Sequence, residues 1–214
     1  MLEIFDRKKI SITEKKISGG SNSPIRISLI QSVPCPVIQE YFILIYDCGG
    51  DTAVRSYVVD QQTSLIKNGY NKIVGIRDLY PLTDLAKLKI GLQYGVKTKI
   101  DISFVIAVRE TEAWFLAETN HFFKLNPAFS LNIVNENFGM DLSTIDFETI
   151  EHPSEVLDKI YQLIGHRYVS NDHRKSQVRI RRTCSHLDYS ALYLELPKRI
   201  PSLKELIDEI DACF

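Results

Sequence analysis

Three apolar runs, each ending at an acidic residue and followed by a helical pattern, constrain the fold of this chain most strongly. Their sequences are YFILIYD (41–47), NKIVGIRD (71–78) and IDISFVIAVRE (100–110). Short continuous apolar runs rich in β-branched and aromatic residues are typical of strands that are buried on both faces, as parallel strands are. The alternation of strand and helix therefore predicts an α/β fold, with a parallel sheet flanked by helices.

The patterns on either side of these runs predict one domain over residues 1–214 with three parts. Residues 1–40 form an irregular or β N-terminal segment, in which the first 30 residues suit one or two amphipathic strands. Residues 41–125 form the α/β core, and residues 126–214 form a mainly helical C-terminal part. Helices are predicted at about 53–68, 82–95, 111–118, 153–165, 187–196 and 202–214, with a long connection over 126–152.

Composition excludes several classes of protein. The chain has 214 residues, of which 44% are hydrophobic and 25% charged, and its net charge is −1, which is ordinary for a globular domain and unlike a histone or an acidic tail. No apolar stretch is long enough to span a membrane, and the N-terminus lacks the apolar core of a signal peptide, so a cytoplasmic location is expected. Four cysteines without a CxxC pair predict free thiols rather than a zinc site.

The acids that end the three strands are the first candidate site. Asp47, Asp78 and Glu110 each follow a predicted parallel strand, and the carboxyl ends of such strands meet at one edge, where ligands bind. Carboxylates gathered there would repel one another unless a cation held them, and oxygen ligands suit Mg²⁺ or Mn²⁺. Glu112 lies close enough in sequence to join them. The alternative is that each acid only caps a turn or a helix.

The strongest charge asymmetry lies in the basic segment, which we define as His166–Arg182. It holds six Lys and Arg residues against one acid, Asp172, which leaves the rest of the chain at −6. Such a segment suits the phosphate backbone of nucleic acid, or else forms a solvated face that pairs with acids elsewhere, for example on the terminal helix. The candidate phosphate-binding residues in it are Arg174, Lys175, Arg179, Arg181 and Arg182.

The string VRETEAWFLAE (108–118) resembles a motif of a family of uncharacterised bacterial proteins with a Toprim-like fold, related to the nuclease domains of OLD-type proteins. Looser similarities are the strand that ends at Asp47, the string RDLYP (77–81), the pair Tyr168 and Lys175, and the string LDY (187–189). The resemblance covers roughly residues 41–196. The only Trp of the chain, Trp114, lies in the motif and is expected in the core rather than in a base-stacking platform.

The resemblance implies a Rossmann-like parallel sheet with a metal-binding acid cluster. The family pattern contains an EGxxD-like motif, which residues 1–46 lack, and a DxD motif, in which Tyr80 here replaces the second Asp. Either the chain begins downstream of the family's first strand–helix unit, or its acid cluster has decayed. Asp47 and Asp51 are candidates to replace the missing acids.

Two functions are therefore expected from the sequence. The first is a Mg²⁺- or Mn²⁺-dependent phosphodiesterase or nuclease that belongs to a phage-defence or mobile-element system. Its metal ligands would be Asp47, Asp78, Glu110 and Glu112, and its catalytic residues would be Glu110, Asp78 and Lys175. The metal would polarise the phosphoryl oxygen and lower the pKa of the attacking water. The second is a non-catalytic module that binds nucleic acid or a partner protein, such as a defence-system ATPase. No membrane partner is expected.

Overall fold

The computed structural model describes residues 12–20, 23–33, 43–96, 100–169 and 177–213. Within the whole chain, two compact units are distinguished, Met1–Tyr46 and Asp47–Phe214. Two of the candidate phosphate-binding residues, Arg174 and Lys175, lie outside the described residues, as do residues 41–42 at the start of the first predicted strand.

The first unit contains an antiparallel hairpin. Its strands are β1 (Ile12–Gly20) and β2 (Ser23–Val33), which pair along their whole length. The pairing register shifts between Glu14 and Lys15, where an extra residue is accommodated by an irregularity in one strand. Both strands overlap the N-terminal part of the chain in which the alternating pattern predicts strands.

The second unit contains a small parallel sheet packed against helices. Strand β3 (Lys72–Asp78) pairs in parallel with β4 (Asp101–Ala107) along seven residues of each. Helix α1 (Asp51–Lys67) precedes β3 and packs on it, and helix α2 (Leu85–Gln93) lies between the strands in sequence and packs on β4. The mixed α/β architecture expected from the sequence is thus confirmed, with two strands in this sheet among the described residues.

Close packing of α1 on the sheet depends on a glycine in the middle of β3. A Cβ atom built on Gly75 would lie 2.7 Å from Cδ1 of Phe104 and 3.1 Å from Cγ1 of Val54. Only a residue without a side chain lets the Phe104 ring on β4 and the Val54 side chain on α1 share this space. The same cluster contains buried Val58 and Ile106, so this is the core of the α/β part.

The first predicted strand does not belong to this sheet. Residues 43–48 have no regular secondary structure, and the side chains of residues 43–47 are exposed, Ile45 by 69%. The prediction of a buried parallel strand over 41–47 is therefore wrong for its described part. The apolar run indicates a segment that would gain from burial, but a strand also needs a neighbouring edge to pair with, and composition does not supply one.

The chain after β4, which we call the C-terminal part from here on, is mostly helical; the prediction placed the start of the helical part later, at residue 126, after the first two of these helices. Its helices are α3 (Glu112–Ala117), α4 (Asn120–Leu125), α5 (Leu131–Phe138), α6 (Pro153–Leu163), α7 (Gln177–His186), α8 (Tyr189–Leu194) and α9 (Pro201–Asp211), with 3₁₀ turns at Phe147–Thr149 and Leu196–Lys198. The segment over 126–152, which the sequence predicted as a connection, contains α5. The sequence did not reveal this helix because its pattern is too short to show a clear period. This part surrounds a core that includes Trp114, Phe122, Leu157 and Tyr161.

Two expectations from composition concern membrane spans and thiols. Among the helices in the described ranges, none combines the length and the apolar character needed to cross a membrane. Cys48 and Cys184 are free thiols, in agreement with the expectation for these two residues. Cys35 lies outside the described residues.

An ion-pair network ties the terminal helix α9 to the sheet. Nζ of Lys72, at the start of β3, lies 2.7 Å from Oδ2 of Asp101 on β4 and 2.6 Å from Oε2 of Glu209 on α9. The partial burial of the ammonium group would by itself lower its pKa. The hydrogen bonds and charges of the two carboxylates outweigh that effect and raise the pKa of Lys72 from 10.5 to about 12.

Replacing Lys72 by Met is expected to lower the free energy of unfolding at pH 8 by about 1 kcal/mol, since the network is only partly buried. Because the pKa is raised in the folded protein, the stabilisation is complete below pH 10.5 and is lost as the pH rises toward 12. Urea denaturation at pH 8, 10 and 11.5 measures both effects. If the wild type and Lys72→Met lose stability in parallel above pH 10.5, the network contributes nothing.

Candidate functional site

Two of the predicted site residues, Asp78 and Glu110, lie close to the same edge of the parallel sheet. Asp78 is the last residue of β3, and Glu110 follows the last residue of β4 by three positions. Oδ1 of Asp78 accepts a hydrogen bond of 2.9 Å from the backbone N–H of Thr111. Its own backbone N–H donates to Oδ1 of Asp51, at 2.8 Å. Asp51, Asp78 and the start of α3 are therefore linked directly through backbone hydrogen bonds.

Each of the three acids that were predicted to end a strand accepts a backbone hydrogen bond. Oε2 of Glu110 accepts from the N–H of Ser154, at 2.9 Å, in the first turn of α6. Oδ1 of Asp47, which is exposed, accepts from the N–H of Gly49, at 2.8 Å. Within the described ranges, no three His, Cys, Asp or Glu side chains are grouped so that they could hold a metal ion. As arranged, these acids fit turn and helix caps better than they fit the ligand set that the resemblance implies.

Glu112, the fourth predicted metal ligand, lies inside the protein. It is 2% exposed, and its Oε1 accepts a hydrogen bond of 2.8 Å from the hydroxyl of Tyr168. Burial, together with the negative Glu112 carboxylate, raises the pKa of Tyr168 far above its ordinary value, so that this tyrosine stays a donor. The Tyr168 ring stacks on Tyr161 with a centroid distance of 6.1 Å. Glu112 thus anchors the start of the basic segment to α3.

The motif over residues 108–118 as a whole connects α3 to the rest of the C-terminal part. The indole N–H of Trp114 donates to Oγ of Ser202 on α9, at 3.0 Å. Oε2 of Glu118 accepts from the backbone N–H of Asp188, at 3.1 Å, just before α8. Together with the bonds of Glu110 and Glu112, these contacts tie one short string to four separate later elements. The string is therefore a structural hub in this fold.

A buried acid on α6, Asp158, binds residues near the start of the basic segment. The sequence gave no reason to select it. Oδ1 of Asp158 on α6 accepts from the backbone N–H groups of Tyr168, at 2.6 Å, and Val169, at 3.0 Å, and Oδ2 lies 3.3 Å from Nε of Arg167. Burial acts to raise the pKa of Asp158, but these hydrogen bonds, with one from Gln162, lower it overall. The signal available in the sequence was a lone Asp beside the apolar residues of a helix.

The described part of the basic segment places its arginines on two sides of α7. Arg181 is exposed, whereas Arg179 and Arg182 are partly buried on the side that also carries buried Thr183. Arg182 donates from Nη2 to the backbone O of Arg167 and stacks its guanidinium over the Tyr161 ring, 5.6 Å from the centroid. The two other candidate phosphate-binding residues, at positions 174 and 175, lie outside the described residues.

The fold makes this chain a mixed α/β protein with a mostly helical C-terminal part. The chain matches no family model, no curated protein and no solved structure. The suggested relation to the Toprim-like family therefore rests only on the resemblance of the string over residues 108–118 and on the looser similarities around it.

Proposed function

We propose that this protein is a nucleic-acid-binding module that contacts phosphates through the basic segment. The observation that supports this most is that Arg179, Arg181 and Arg182 form no ion pair with any carboxylate of the described residues. Arginines without acidic partners remain available for phosphates, which they bind with paired N–H donors.

The acids that were expected to neutralise the basic segment have other partners. On the terminal helix α9, Asp208 pairs with Lys204, at 2.5 Å, and Glu209 pairs with Lys72, at 2.6 Å. This weakens the alternative that the segment is a solvated face balanced by α9. The affinity of a basic segment for nucleic acid comes largely from counterions that are released when Lys and Arg neutralise phosphates.

Binding to a single-stranded or double-stranded oligonucleotide should weaken steeply as salt is added. Replacing Arg174 and Lys175 together by Ala should reduce the slope of log affinity against log salt by up to about two, one for each lost phosphate contact. Fluorescence anisotropy over 50 to 200 mM salt, roughly the range over which such contacts are lost, measures this slope.

The matched control is the double substitution of Lys198 and Lys204 by Ala. It removes the same charge from two exposed lysines outside the basic segment, which already pair with Glu195 and Asp208. Its slope should equal that of the wild type. An unchanged slope in the Arg174 and Lys175 variant would exclude a role for these two residues and favour a protein partner, such as a defence-system ATPase, for the segment.

A second candidate function is a Mg²⁺- or Mn²⁺-dependent phosphodiesterase. The observation in its favour is that Asp78 and Glu110 follow neighbouring parallel strands and that Asp51 bonds to the backbone of Asp78. Against it, the described acids accept backbone hydrogen bonds and form no ligand group of three. We derive no catalytic step from this arrangement.

Binding of Mn²⁺ tests the metal hypothesis directly. If Asp78 and Glu110 hold a metal, the Asp78→Asn and Glu110→Gln variants should each weaken Mn²⁺ binding by about tenfold or more, since removal of even an outer-shell partner typically costs 10–100-fold. Both substitutions keep an oxygen that can accept the backbone hydrogen bond, so the fold should persist. Electron paramagnetic resonance of free Mn²⁺ provides the titration, and Asp141→Asn is the control. Equal affinities in all four proteins would exclude the site.

A further inference from the structure

We propose that Arg179 and Arg182, together with His166, form a discrete site for a terminal phosphate group, on the inner side of α7. The proposal rests on the proposed function, since it specifies which part of a nucleic acid the basic segment recognises. In this proposal Arg179 and Arg182 have a different role from Arg181, whereas the charge pattern of the sequence does not distinguish the three.

The position of Arg182 is fixed by contacts on two sides. Its guanidinium lies over the Tyr161 ring and donates to the backbone O of Arg167, while Nη1 lies 3.5 Å from Nδ1 of His166. A further donor of the same guanidinium, Nε, is shielded from solvent and has no hydrogen-bond acceptor. A rigidly held guanidinium with an unused donor is prepared to bind an anion, because little freedom is lost when the ligand arrives.

Arg179 adds a second unused donor on the same face of α7. It lies three residues before Arg182 on α7, a spacing that places two side chains on one face of a helix. Its Nη1 is also shielded from solvent and without an acceptor. Buried donors of this kind are costly to leave unpaired, and native proteins seldom leave them so without a ligand or an ion.

The charges around this site favour an anion. The two arginines supply the positive charge, and the ring of His166, in the loop after α6, contacts Arg182. Asp158, the acid that pairs with Arg167, already accepts hydrogen bonds from Arg167, Gln162 and the backbone of Tyr168 and Val169. Neither Arg179 nor Arg182 forms an ion pair with a carboxylate of the described residues.

The shielding of the donors indicates which anion fits. A phosphodiester within a chain carries a substituent on both sides and suits an exposed residue such as Arg181. A terminal phosphate has three free oxygens, carries more than one negative charge near neutral pH, and can reach enclosed donors end-on. Inorganic phosphate and the 5′-phosphate of an oligonucleotide share this chemistry.

The experiment titrates the full chain with inorganic phosphate by isothermal calorimetry and with oligonucleotides that carry or lack a 5′-phosphate. We expect the phosphorylated oligonucleotide to bind about tenfold more tightly, the effect of one charge-assisted hydrogen-bond pair. Arg179→Gln should abolish that preference and weaken phosphate binding by a similar factor. Arg181→Gln, which removes the same charge from the exposed side of the same helix, should weaken both oligonucleotides equally and keep the preference.

The outcomes separate the two proposals. Equal effects of Arg179→Gln and Arg181→Gln, or a wild type without preference for the 5′-phosphate, would overturn the discrete site while leaving nucleic-acid binding intact. Binding of inorganic phosphate that depends on Arg179, with no binding of either oligonucleotide, would keep the site and reject the proposed function. Thermal unfolding checks that each variant is folded. Arg179→Lys, which keeps the charge but loses the fork, is the second variant and should also lose the preference.

Discussion

Replacing Trp114 by Ala is expected to lower the free energy of unfolding by about 3–5 kcal/mol, the usual range for deleting a large core aromatic side chain. The indole is only 6% exposed and lies in the core of the C-terminal part, between α3 and the terminal helix α9. Its N–H bonds to the hydroxyl of Ser202, which is 4% exposed. The substitution removes the apolar contacts and leaves the hydroxyl of Ser202 without its donor.

Two further variants divide the effect of Trp114 into packing and hydrogen bonding. Trp114→Phe keeps most of the apolar area but loses the N–H donor, and Ser202→Ala removes the acceptor. Each should cost about 1–3 kcal/mol, and the double variant should cost less than the sum of the two, because they share one hydrogen bond. Urea denaturation followed by far-ultraviolet circular dichroism measures the wild type and the four variants, since Trp114 is the only Trp and fluorescence is lost with it. A cost below about 1 kcal/mol for Trp114→Ala would show that the ring is not part of the core.

The sequence predicted those elements in which the local pattern and the tertiary structure agree. The runs over 71–78 and 100–110 contain β3 and β4, because each run is apolar enough to be buried and finds the other as its neighbour. The helix predicted over 153–165 is α6, whose first residue is Pro153, where proline costs no hydrogen bond. The residues within each of these segments are enough to predict its secondary structure.

The run over 41–47 shows what the pattern cannot supply. It has the strongest strand composition in the chain, and yet its described residues are exposed and have no regular secondary structure. Strand pairing depends on a partner far away in sequence, so local composition fixes the tendency and not the outcome. The same reasoning explains why the spacing of Lys72, Asp101 and Glu209 gave no indication of their network.

The acids illustrate the corresponding limit for the candidate site. An Asp or Glu at the end of a strand is equally suited to holding a metal and to capping the next helix, because both roles need a carboxylate at the same place. Glu110 accepts from Ser154 and Glu112 from Tyr168, residues 44 and 56 positions away. Partners that distant are set by the folded structure, and no spacing rule within one sequence reveals them.

Replacing Glu118 by Ala is expected to cost about 3–5 kcal/mol of unfolding free energy, because several donors lose the acceptor that they share, and each buried donor left without a partner costs about 1–3 kcal/mol. Glu118 is 1% exposed and His121 fully buried, and the Glu118 carboxylate lies 3.4 Å from Nδ1 of His121. The same carboxylate accepts from the backbone N–H groups of Asn120, His121 and Asp188. Without it, three buried or partly buried donors lose their acceptor, and α8 loses a link to α3.

Glu118→Gln and Glu195→Gln make this a controlled comparison. The first keeps the shape of the side chain but removes the charge and half of the acceptors, so an intermediate cost of about 1–3 kcal/mol is expected. The second makes the same chemical change at a glutamate whose side chain is 65% exposed, and it should stay within about 0.5 kcal/mol of the wild type. Equal stabilities of these two variants would show that the Glu118 carboxylate does not stabilise the fold.

The dependence of stability on pH tests the charge of Glu118 separately from its shape. Burial acts to raise the pKa of this carboxyl, but the hydrogen bonds from His121 and from the backbone of Asp188 and Asn120 lower it overall below its ordinary value of 4.5. A carboxyl whose pKa is lower in the folded protein stabilises the fold fully above the pKa of the unfolded chain, and this contribution is lost as the pH falls through the folded pKa.

We therefore expect the wild type to lose stability below pH 4.5 more steeply than Glu118→Gln, which has no proton to gain at this position. Denaturation curves between pH 7 and pH 3, which bracket the ordinary pKa of 4.5, should converge for the two proteins at the acid end. Parallel curves would instead mean that other carboxyl groups, of which Asp158 is the first to examine because its pKa is also lowered, account for the acid sensitivity.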